Sequence, residues 1–89
     1  MPGIMEMIGG RALPEVFRTE GFVFFYANEG HEPIHVHVRR AGGFAKFWLE
    51  PIELDYAERM KPRELVRAEE LAAENLQLIR ERWHEVHGN

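Results

Sequence analysis

The sequence has no cysteine, which excludes a disulfide framework, a thiolate metal site and a cysteine nucleophile, and which fits a reducing, cytoplasmic setting. Nowhere do 18 apolar residues run together, and Met1–Arg11 lacks the apolar run of a secretory signal, so neither membrane insertion nor export is expected. A basic excess is missing too: 11 Lys and Arg stand against 15 Asp and Glu, for a net charge of −4. Residues 1–49 hold five basic and five acidic side chains and residues 50–89 hold six and ten, so the surplus acid lies in the second half. Such a chain repels phosphate backbones as a whole, and any nucleic-acid role must rest on a local basic patch. No nucleophile elbow, Walker motif or helical zinc-protease motif occurs, and no cofactor is implied.

What is present fits one small domain, because 89 residues bury only about 60% of the surface the unfolded chain exposes and leave no room for a second core. Residues 1–12, with Gly3, Gly9, Gly10 and scattered methionines, show no period and are expected to form a poorly ordered extension ahead of a domain at 13–89. Aromatic and β-branched residues crowd at Val16–Arg18 and Phe22–Ala27 around Thr19-Glu20-Gly21, which predicts a hairpin. After a polar loop, Ile34-His35-Val36-His37-Val38 alternates strictly, as a strand with one buried face does. A two-residue turn at Ala41-Gly42 then pairs Val38 with Ala45, Val36 with Phe47 and Ile34 with Leu49 on one apolar face. His37 falls opposite Lys46 and His35 opposite Trp48 on the other face, to which matching parity in the preceding strand adds Phe24 and Tyr26. Ile52 and Leu54 alternate as in a short edge strand or extended loop. From Pro62, a residue suited to a first helical position, apolar residues recur at Leu65, Ala68, Ala72, Leu76, Ile79, Trp83 and Val86, and Leu71 and Leu78 widen the stripe.

The expected fold is therefore α+β: a three- to four-stranded antiparallel β-meander with one long C-terminal amphipathic helix packed on one face. About 25 helical residues span roughly 38 Å, more than a six-residue strand of about 20 Å can cover. Ile79, Trp83 and Val86 are thus expected to seek a second surface, and a homodimer through the C-terminal helix is the expected way to hide them.

Chemistry concentrates on the polar face. His35 and His37 project from the same side of a strand roughly 6 to 7 Å apart, close enough to share a metal or a phosphate, with His31, Glu29 or Glu32 as a possible third ligand. A plain alternating strand gives the same pattern with no ligand, and without cysteine the donor set falls short of a structural zinc site, so no metal is assigned. His84 and His87 suit the C-terminus of a helix better than a metal. Lys46, Arg39 and Arg40 lie close by, with Tyr26 and Trp48: cations for phosphate, rings for stacking a base and imidazoles for proton transfer are what metal-independent RNA cleavage needs. The candidate catalytic residues are His35, His37 and Lys46; the candidate binding residues are Tyr26, Glu29, Arg39 and Trp48.

Phe24-Phe25-Tyr26-Ala27-Asn28-Glu29, Pro33-Ile34-His35-Val36-His37-Val38 and Ala45-Lys46-Phe47-Trp48-Leu49, closing on a helix with Trp83 near its end, together resemble the bacterial family known as domain of unknown function 4160. The resemblance covers about Leu13 to Gly88, and the block from Glu29 to Lys46 is its most specific part. Family members usually begin at a Met-Pro matching Leu13-Pro14, so residues 1–12 are extra. The resemblance carries no activity; it implies a fold and a small partner encoded alongside, in a layout like that of toxin–antitoxin cassettes. Contact with RNA or a partner protein through the His/aromatic/Lys face is the leading expectation. A metal-independent ribonuclease using His35 and His37, and a His/Glu metal-binding domain, are the alternatives.

Overall fold

The computed structural model describes residues 15–27 and 31–87. The expected extension at 1–12 and the candidate Glu29 lie outside the described residues. Among the described residues, five strands run in sequence order as one antiparallel meander: β1 (Glu15–Thr19), β2 (Phe22–Phe25), β3 (His35–Arg40), β4 (Gly43–Leu49) and β5 (Ile52–Glu58). Two helices follow, α1 (Pro62–Glu74) and α2 (Leu76–His87). None is long and apolar enough to cross a membrane. The α+β class and the antiparallel meander agree with the sequence; the expected three or four strands become five, and the single helix becomes two.

Turn chemistry accounts for the hairpins. Glu20 and Gly21 both have positive φ (55° and 84°), the combination that matches a two-residue loop to the twist of its strands. At the start of β4 a glycine is required for another reason: a Cβ on Gly43 would stand 2.3 Å from the Arg59 carbonyl oxygen. Between β3 and β4 the predicted register is the one found, with Val36 opposite Phe47, His37 opposite Lys46 and His35 opposite Trp48.

The extra strand comes from Ile52–Glu58, which pairs with β4 from Phe44 to Leu49. Asp55 is the added residue of a bulge there, since Lys46 faces Tyr56 while Phe47 faces Leu54. Helix α1 opens with Pro62 at its first position, and the Lys61 backbone N–H donates to Glu64 Oε1 at 2.8 Å. It ends at Asn75, whose side-chain Nδ2 and backbone N both donate to the Leu71 carbonyl, at 2.9 and 3.0 Å. That competition for an i−4 acceptor divides what the apolar period alone reads as one helix.

One core joins Phe24, Val36, Val38, Ala45, Phe47 and Leu49 of the sheet to Ala68, Leu71, Ala72, Ile79 and Trp83 of the helices. Here the expected lack of cover for the far helical stripe is corrected. Ile79 and Trp83 are 0% and 8% exposed within the chain itself, and Leu78 and Val86 are what remains at the surface.

Candidate functional site

The sheet face opposite Val36, Val38 and Phe47 is built from strand alternation. Phe25, His37, Lys46 and Tyr56 form one row across β2 to β5, and His35, Trp48 and Glu53 form the next across β3 to β5. The two histidine rings meet edge to face with centroids 5.2 Å apart. His37 lies stacked between Phe25 at 5.4 Å and Phe44 at 5.7 Å. His35 packs edgewise on Trp48 at 5.6 Å and on Trp83 of α2 at 5.1 Å. Its Nδ1 lies 2.8 Å from the Pro33 carbonyl, which can only accept, so that nitrogen carries a proton.

Lys46 stands at the centre. Its Nζ donates to Glu32 Oε1 at 2.7 Å, lies 3.7 Å from Asp55 Oδ2 and sits 4.4 Å from the centroid of the Trp48 ring. Two carboxylates and an aromatic face therefore offset a cation that is 6% exposed, and the bulge in β5 brings Asp55 to it. His35 and His37 are 0% and 3% exposed. The three candidate catalytic residues do come together, but as a buried and charge-compensated group instead of an open, cationic face.

The other candidates separate. Tyr26 is not on this face: Phe24 pairs with Val38 and Phe25 with His37, so Phe24 is in the core, while Tyr26, just beyond β2, is fully buried there. Its hydroxyl donates to the Ile79 carbonyl, its ring packs edgewise on Trp83 at 5.5 Å, and burial pushes its pKa well above the usual phenol range. Arg39 is exposed, with its guanidinium 5.5 Å from the Phe25 ring. Trp48 is half-buried beside Lys46. Among the described residues, no three His, Asp or Glu are arranged to hold a metal ion. Phe25, Phe44, Asp55 and Tyr56 are the members of the site that sequence reasoning did not assign to it, and Glu32, expected there as a possible metal ligand, is instead the partner of Lys46. Phe44 was readable, because the hairpin register that places Lys46 and Trp48 on one face places residue 44 there as well.

Residues 21–84 match the family described as a domain of unknown function, DUF4160. The chain belongs to this family. No curated protein and no solved structure matches it. The DUF4160 segment takes in β2 to β5, all of α1 and most of α2, and with them every residue of the buried His35–His37–Lys46 group and its aromatic walls. It also takes in the outer part of this face. Tyr56 is 44% exposed there, next to the exposed acids Glu50, Glu53 and Glu58, whereas Leu54, 40% exposed, pairs with Phe47 and lies on the opposite side of the sheet.

Proposed function

We propose that this DUF4160 domain is a binding module, the cytoplasmic component of a bacterial two-gene cassette, and that its aromatic face contacts a partner protein. One observation carries the choice of protein over RNA: the lysine meant to hold phosphate is already offset by Glu32 and Asp55, so that apart from the exposed Arg39 the outer face offers aromatic and acidic groups. Phosphate backbones are repelled by such a surface, whereas exposed aromatics beside apolar residues are common at protein contacts. The cassette setting comes from the family resemblance. Self-association along the C-terminal helix has a narrower basis, since Leu78 and Val86 alone stay exposed of the residues singled out there, and we assign the contact to a different protein. The ribonuclease alternative needs His35 or His37 to reach a ribose hydroxyl, which their burial opposes.

Affinity purification from the native cell, with and without ribonuclease, tests this reading. A protein that stays bound after ribonuclease and is lost from Trp48→Ala, with the fold checked by circular dichroism, is the expected result. RNA as the bound component contradicts it.

A further inference from the structure

Beside the buried group, Trp48 forms one wall of a cavity of about 260 Å³ that Pro33, Ile34 and Pro51 also line, with Glu50 and Glu53 among its lining residues. Its size falls below the roughly 300–1,000 Å³ of small-molecule sites and suits a single inserted side chain. The chemistry of the lining is an indole and two prolines with two carboxylates, an arrangement that favours a cation over an apolar or anionic group. Two contacts within the chain show the same preference: the Lys46 ammonium sits 4.4 Å from the Trp48 ring centroid, and Arg80 Nε lies 3.4 Å from Glu50 Oε2. Glu53, cross-strand neighbour of Trp48, is exposed and makes no ion pair among the described residues.

We infer that the Trp48 cavity receives an arginine side chain of the partner protein, its guanidinium lying on the indole and pairing with Glu53 and Glu50. This rests on the reading of the face as a protein contact and gives the partner's chemistry: a basic segment laid along the acidic β5 edge. A planar guanidinium is preferred to an ammonium because it stacks on an indole and bonds a carboxylate through two N–H groups at once.

The test uses the full chain and two probes, N-acetyl-arginine methylamide and its neutral isostere N-acetyl-citrulline methylamide, followed by NMR at the Trp48 indole N–H. Saturable shifts with arginine, at least fivefold weaker in the Glu50→Gln/Glu53→Gln double variant and absent with citrulline, are expected. These exposed substitutions leave the core untouched, so the result does not depend on a Trp48 variant folding. Equal responses to the two probes, or no saturation with arginine, overturn the inference. Co-purification tells the two failures apart: a protein partner that binds the double variant as tightly as wild type but is lost from Trp48→Ala refutes the arginine pocket and leaves the protein-contact reading standing.

Discussion

At the scale of single residues, Lys46 and Tyr26 decide how the two faces of the sheet are read. Lys46 is buried among aromatics and held by Glu32 and Asp55, so removing an acid and removing the cation should not be equivalent. Glu32→Ala leaves a buried ammonium with weaker compensation and is expected to cost about 1–3 kcal/mol. Lys46→Met leaves a carboxylate that can turn to water, and is expected to cost less; urea titrations of both variants check the order. Tyr26→Phe should cost about 1 kcal/mol by removing the buried hydrogen bond that the hydroxyl donates to the Ile79 carbonyl. Because burial raises the pKa of Tyr26 above its ordinary value of 10.0, its contribution is complete below pH 10 and declines as pH rises past that value towards the folded pKa. Wild type should therefore lose stability above pH 10 faster than Tyr26→Phe does, by up to about 1.4 kcal/mol per pH unit.

At the scale of elements, the β3–β4 hairpin was fully legible, because a two-residue turn sets register and the apolar alternation of Val36, Val38, Ala45 and Phe47 confirms it. The parity of β2 against β3 was not. Phe22-Val23-Phe24-Phe25-Tyr26 is apolar throughout and joins β3 through a long loop, so neither alternation nor turn geometry says which residues face the histidines. A bulge such as that at Asp55 has no sequence signal of its own, and the division at Asn75 rests on a side-chain hydrogen bond that a period of apolar residues does not contain. The start of α1 is held by two carboxylates. The Lys61 N–H, with help from Arg40, lowers the pKa of Glu64 below its ordinary 4.5, and the Arg67 guanidinium likewise lowers that of Glu20 at the β1–β2 turn. With folded values depressed, their contribution is present above pH 4.5 and is lost as pH falls through the folded values. Acid unfolding should consequently begin below pH 4.5 and be less steep in Glu64→Gln than in wild type, as followed by helical circular dichroism.

At the scale of the molecule, the C-terminal stripe closes the chain's own core, and the aromatic face is the one we propose for contact with a partner. Trp83→Ala should cost about 3–5 kcal/mol, since its ring packs on Tyr26, His35 and His87. Because those contacts lie within the chain, the loss should not vary with protein concentration across a hundredfold range; a loss that grows on dilution would place Trp83 between protomers. The central claim is that His35, His37 and Lys46 are a buried, compensated foundation for a protein-contact surface. Its most direct test is titration of the full chain with a fluorescent single-stranded RNA of mixed sequence at low and moderate salt, with the RNA recovered and sized afterwards. The expected result is no saturable, salt-dependent binding and intact RNA; tight binding that falls steeply with salt, or cleavage abolished by His37→Ala, would contradict the account.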